Sequence, residues 1–140
     1  MKTKYAQAHM KAAYLYANLS TARRLKVGAL VVKDDRIISI GYNGMPSGWD
    51  NNCEYQLEDG NIKTKPEVLH AETNAVSKLA RSTESGLDAD LFVTHSPCLD
   101  CAKLIYQSGI KRVYYATAYR DNAGIDFLKA SDVEVIKLDV

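Results

Sequence analysis

Two short stretches hold the residues whose types and spacing can do chemistry: His70-Ala71-Glu72 and Pro97-Cys98-Leu99-Asp100-Cys101. Cys98 and Cys101 stand at i and i+3, so on a helix they share one face and can grip one ion. Pro97 suits a first helical position. Both cysteines then fall in the first turn, where the helix dipole and free amides favour thiolates. His70 offers an imidazole from a separate helix start. Three such ligands leave the fourth tetrahedral position of a zinc ion open for water, which marks a catalytic site rather than a closed structural one. Zinc lowers the pKa of that water to about 7. Glu72, two residues from His70, can sit beside the water without ligating the metal and carry its proton. A structural zinc site would need a fourth ligand, and His95 or Cys53 could be nominated. His95 reads better as a neighbouring polar residue, Cys53 as an inert thiol and His9 as a core or interface histidine. A redox Cys-x-x-Cys leaves His70 and Glu72 without a role.

The elements that must position these residues follow from hydrophobic periodicity. Tyr5, Ala8, His9, Ala12, Leu15, Tyr16 and Leu19 fall at helical spacing, which predicts a first amphipathic helix over 4–19. Residues 27–32 and 36–42 are short and rich in β-branched side chains, broken at Asp34-Asp35. So short a break makes them antiparallel neighbours. From Asn43 to about Pro66 the chain is polar and carries Gly44, Gly48 and Gly60. A loop that long within a compact domain is usually functional. A second helix is expected over 70–82, a strand at 91–94, and a third helix over 98–107 ended by Gly109. A strand at 113–116, a helix at 126–130 and a strand at 133–138 complete the chain. The later strands should be parallel, because each connection carries a crossover helix. The expected fold is α/β: one mixed five-stranded sheet, opened by an antiparallel hairpin, between helical layers in a single domain over 1–140.

Composition narrows the function. The 140 residues carry 18 basic and 17 acidic side chains, a net charge of +1. That balance argues against a large nucleic-acid footprint but leaves room for a pocket for one phosphate. Three cysteines with one close pair do not read as a disulfide framework. A reducing compartment suits them better, and a cytoplasmic protein is expected. No apolar run reaches the ~20 residues of a membrane span, and the N-terminus lacks a signal peptide's apolar stretch.

Taken jointly and in order, the two motifs match the zinc-deaminase signature H-x-E…P-C-x-x-C. The chain resembles the cytidine/deoxycytidylate deaminase superfamily, and within it the deoxycytidylate branch, over nearly its whole length. Val27-Gly28-Ala29-Leu30-Val31-Val32 is similar to the family's first strand. Gly41-Tyr42-Asn43-Gly44-Met45-Pro46-Ser47-Gly48 resembles its glycine-rich loop and is the most specific element. Val68 to Ala75 and Thr94 to Cys98 complete the match. The resemblance implies a three-layer α/β/α sandwich and zinc-dependent deamination of dCMP to dUMP and ammonia, which supplies the dTMP precursor. It implies roles for Asn43 at the sugar 3′-hydroxyl, the Ala71 amide at the base carbonyl and the Ser96 carbonyl at the exocyclic amine. Tyr119 resembles a tyrosine near the substrate phosphate. Arg23, Arg24, Lys26 and Arg120 are phosphate candidates by location, with Arg23 preferred.

The same resemblance implies a hexamer activated by dCTP with Mg²⁺ and inhibited by dTTP. The effector site would involve Gly44, Pro46, Gly48 and Lys26. One zinc per chain is expected, with no nucleic-acid or membrane partner. The competing readings are a deaminase acting on another cytosine nucleotide or on a base within nucleic acid, and a catalytically silent zinc-binding module. An intact Glu72 speaks against the last.

Overall fold

The computed structural model describes residues 1–119 and 121–140. Eleven elements follow in order: α1 (Thr3–Ala17), β1 (Gly28–Lys33), β2 (Arg36–Tyr42), β3 (Glu54–Gln56), β4 (Ile62–Thr64), α2 (Ala71–Leu79), β5 (Asp90–His95), α3 (Leu99–Gln107), β6 (Arg112–Thr117), α4 (Ala123–Ala130) and β7 (Glu134–Lys137). Five strands form one mixed sheet in the order β2-β1-β5-β6-β7. β1 pairs antiparallel with both β2 and β5, while β5, β6 and β7 are parallel. The α/β architecture and the opening hairpin are those the sequence pattern predicts. Asp34 and Asp35 both take positive φ, 51° and 60°, and turn the chain in two residues with the twist a hairpin needs.

Strand alternation divides the core into two layers. Ala29, Val31, Leu91, Val93 and Val113 pack under α2, α3 and α4, against Ala75, Leu79, Ala102, Ile105 and Leu128. Leu30, Val32, Phe92 and Tyr114 point the other way, against Ala6, Met10 and Ala13 of α1. Phe92 stacks on Tyr114 with centroids 4.5 Å apart, and His9 leans on Phe92 at 5.2 Å.

Two expectations change. The buried stripe of α1 is Ala6, Met10, Ala13 and Ala17, while Tyr5, Leu15 and Leu19 are exposed. Small residues let the helix approach β1 so closely that a side chain at Gly28 would collide with the Ala13 carbonyl. Periodicity of large apolar residues therefore marks the wrong face. The polar stretch after Asn43 is also not all loop. It folds into the small antiparallel hairpin β3–β4, in register Glu54↔Thr64.

Candidate active site

His70 is the N-cap of α2 and Cys98 the N-cap of α3, both in extended backbone. Each motif residue therefore sits where the chain leaves irregular structure and enters a helix buried along one face. Two glycines make this possible. A Cβ at Gly41 would strike the Ala71 carbonyl, and one at Gly124 the Pro97 carbonyl. Without side chains there, β2 closes on the start of α2 and α4 closes on the turn that carries Cys98.

His70 Nδ1 lies 3.2 Å from Cys101 Sγ and 3.6 Å from Cys98 Sγ. One donor atom from each of the three residues lies within 4.8 Å of the others. Donors about 2.1 Å (N) and 2.3 Å (S) from a tetrahedral zinc stand about 3.6–3.8 Å apart, so the set fits that ion. Its electrostatics agree. The Cys98 thiol falls to about 4, through its hydrogen bonds with Cys101 and His70. Cys101 is pushed up, chiefly because it donates to the Cys98 sulfur and is buried. The hydrogen bond to Cys98 holds His70 above the usual histidine value. The three groups thus compete for protons at one point. Among the described residues His95 and Cys53 stand outside this cluster. Cys53 is fully buried and bonds to Asn51 and Thr21.

Glu72, 5% exposed, lies in the first turn of α2. Burial pushes its carboxyl up to about 7, against the opposing pull of its own backbone amide and His70. A carboxyl poised there can both take and return a proton near neutral pH.

The cluster and Glu72 open into a cavity of about 340 Å³. His70, Ala71, Glu72 and Cys98 form one end of its wall, and Asn43, Ser96, His95 and Tyr119 join it. Asn43 is braced rather than free to swing: its Oδ1 accepts the Val27 amide at 2.9 Å and its Nδ2 donates to the Leu25 carbonyl at 2.7 Å. Ser96 Oγ accepts the Tyr119 amide at 2.7 Å, so Ser96 holds the chain of Tyr119 against the wall.

The structure does not bring every nominated residue to the cavity. Arg24 lines it and Arg23 does not. Arg23 is half exposed and pairs with Glu54 at 3.3 Å. Gly44, Pro46, Gly48 and Lys26 also stand outside the wall. Gly44 instead exchanges two backbone hydrogen bonds with Leu69. Arg120 lies outside the described residues.

Glu54 and Thr64 are wall residues that motif reading does not reveal. Glu54, 1% exposed, accepts the amides of Arg23 and Arg24 at 2.8 and 3.1 Å. Burial alone would raise its carboxyl, but these amides and the Arg23 guanidinium outweigh that and hold it below the usual carboxylate value. Arg24 Nη1 donates to Thr64 Oγ1 at 3.1 Å. A lone acid in a polar stretch offers no periodic signal, so only the folded chain shows it buried.

Fold and site together define a deaminase of the zinc-binding type. A model of the cytidine and deoxycytidylate deaminase zinc-binding region matches residues 3–117. Deoxycytidylate deaminase of Enterobacteria phage T4 is 34% identical, over 95% of this chain and 89% of its own. The human deoxycytidylate deaminase is 37% identical over 81% of this chain and 65% of its own. Among solved structures, the dCMP deaminase of cyanophage S-TIM5 in complex with dCMP and dUMP is 51% identical, with a TM-score of 0.91 and 98% of both chains covered. The chain belongs to the cytidine and deoxycytidylate deaminase family and is a hydrolase of the deaminating kind.

Proposed function

We propose that the protein hydrolyses dCMP to dUMP and ammonia at this cavity, with one zinc ion held by His70, Cys98 and Cys101. The observation that carries the reading is the convergence of three metal donors and a protonatable Glu72 at one end of a cavity that has an arginine in its wall. A volume of about 340 Å³ lies at the small end of small-molecule pockets and suits a mononucleotide. The 51% identity to a protein solved with dCMP and dUMP supports that choice.

When bound, zinc supplies a water activated to react near neutral pH. Glu72 would take a proton from the attacking water and deliver it to ring N3. Glu72 would then take the remaining proton of the added hydroxyl and pass it to the exocyclic nitrogen, so that the C4 carbonyl forms, the C4–N4 bond breaks and ammonia leaves. The Ala71 amide, in the free first turn of α2, holds the base carbonyl. The Ser96 carbonyl accepts from the exocyclic amine. Asn43 keeps one N–H and one lone pair beyond its backbone bonds, enough for a sugar hydroxyl. Arg24 takes the phosphate in place of Arg23, with Thr64 fixing its guanidinium and Tyr119 nearby.

Control by dCTP with Mg²⁺ and by dTTP, and a hexameric assembly, belong to the same reading, as do a role in dTMP supply and a cytoplasmic setting. Gly44, Pro46, Gly48 and Lys26 stand outside the cavity wall, so an effector there would act without displacing substrate. No described helix is long and apolar enough to cross a membrane. The test is a panel of cytidine, deoxycytidine, CMP, dCMP, dCTP and single-stranded DNA with zinc-loaded protein, with and without dTTP. Fastest ammonia release from dCMP supports the reading. Preference for DNA or for an unphosphorylated nucleoside contradicts it.

A further inference from the structure

One aromatic donor of the cavity wall takes no part in this chemistry. His95 ends β5 and lines the same cavity as Glu72 and Cys98. Leu91 and Val93 pack in the layer under α2 and α3, and alternation puts His95 on that face too.

Its partner defines its chemistry. His95 Nδ1 lies 2.9 Å from Thr94 Oγ1. The same oxygen accepts the Gly28 backbone amide at 3.2 Å. Thr94 is fully buried, and among the described residues its hydroxyl has no acceptor within hydrogen-bond reach other than that ring nitrogen. If Nδ1 carried the proton instead, the hydroxyl would hold a buried, unpaired hydrogen, which folded proteins avoid. Thr94 therefore donates to Nδ1. A neutral ring whose Nδ1 accepts carries its proton on Nε2. Burial lowers the affinity of His95 for a second proton, which keeps the ring neutral. With Nδ1 turned to Thr94, the Nε2–H edge is the one left for the cavity.

We propose that His95 is a substrate-contacting residue: a neutral imidazole, held by Thr94 as the Nε2–H tautomer, which donates one hydrogen bond to an oxygen of the bound nucleotide. The proposal rests on the cavity being a nucleotide site. It adds a side-chain donor to a wall where the metal end presents sulfurs and a carboxyl.

Nitrogen-15 NMR of the imidazoles in zinc-loaded protein tests it, with His95 assigned from the signal lost in His95→Gln. The expected spectrum shows Nε2–H at neutral pH before any ligand is added. Saturating dUMP should then move the His95 Nε2 signal but leave that of His9, on the opposite face of the sheet, in place. A protonated Nδ1, an imidazolium, or a signal that dUMP does not move overturns the proposal. Kinetics supply a second reading. His95→Leu should raise KM about tenfold, the weight of one hydrogen bond, with a smaller change in kcat. His95→Gln, which keeps an N–H near the Nε2 position, should recover most of that loss. Equal losses in both variants would reduce His95 to a packing residue. Comparing dCMP with deoxycytidine assigns the accepting oxygen: a KM loss confined to dCMP places it on the phosphate, and a shared loss places it on the sugar or base. Failure of wild-type protein to bind dUMP or turn over dCMP would sink the nucleotide reading itself. The ligand-free tautomer is measured independently of that outcome.

Discussion

The two ends of the cavity are built differently. At the metal end, His70 and Cys98 stand 28 residues apart, each at the start of a helix packed into the core through Ala75, Leu79, Ala102 and Ile105. At the far end, Arg24 lies in irregular chain and Thr64 on a three-residue strand. That end is tied together by side chains bonded to backbone: Ser20 to Asn43 at 2.6 Å, Thr21 to Asn51 at 2.7 Å, and Glu54 to the amides of Arg23 and Arg24. The contrast separates two requirements. Bond making at C4 needs donors fixed to within a fraction of an ångström, which packed helix starts supply. Phosphate recognition needs charge at the right place, which a polar network can hold.

The largest effect is expected at the metal end. Cys98→Ala should empty the site of zinc and abolish turnover, and metal analysis beside an ammonia assay reads both. It should also lower the melting temperature, because metal binding is linked to folding. Retained zinc at one equivalent would mean that the cluster is not the ligand set.

At the far end Arg24→Ala should spare zinc and raise KM for dCMP by about 10–100-fold, the weight of a charged hydrogen bond. Turnover of deoxycytidine should change little. Equal losses on both substrates would move Arg24 out of the phosphate site.

Glu54→Gln tests the network that sets Arg24. It should destabilise the fold by roughly 1.5–3 kcal/mol at neutral pH, since a buried acceptor of backbone amides loses its charge, and raise KM for dCMP by less than Arg24→Ala does. The sign with pH follows from its depressed folded-state value. Its stabilisation is present above the unfolded carboxylate value of about 4.3 and is lost as pH falls through the folded one. The gap between wild type and variant in denaturant melts should therefore close on acidification. A gap that widens there would reject the assignment. Arg23→Ala should have the smallest effect, within about 1 kcal/mol of wild type, because the pair it breaks is half exposed. A larger loss of dCMP affinity than in Arg24→Ala would return the phosphate to Arg23.

The metal end was legible in the sequence and the far end was not, for physical reasons. His70, Glu72, Cys98 and Cys101 are related by local spacing, and a helix start turns that spacing directly into geometry. The sheet was legible because β1, β5 and β6 each carry a short run of apolar residues bounded by polar ones. The buried face of α1 was not, because alanines chosen for close approach carry less hydrophobic signal than Tyr5 and Leu15 on the exposed side. Arg23 and Arg24 are adjacent and chemically identical, so no pattern tells which one lines the cavity. Glu54, some thirty residues away, takes the Arg23 guanidinium, while Thr64 takes that of Arg24.

The most direct test of the account pairs two measurements on one preparation of Glu72→Gln. Zinc content and dUMP formation from dCMP are read together with wild type. The account predicts one zinc per chain in both proteins and turnover lower by about 10²–10⁴-fold in the variant. Turnover that survives with zinc in place would contradict the role of Glu72 as the proton carrier of this site.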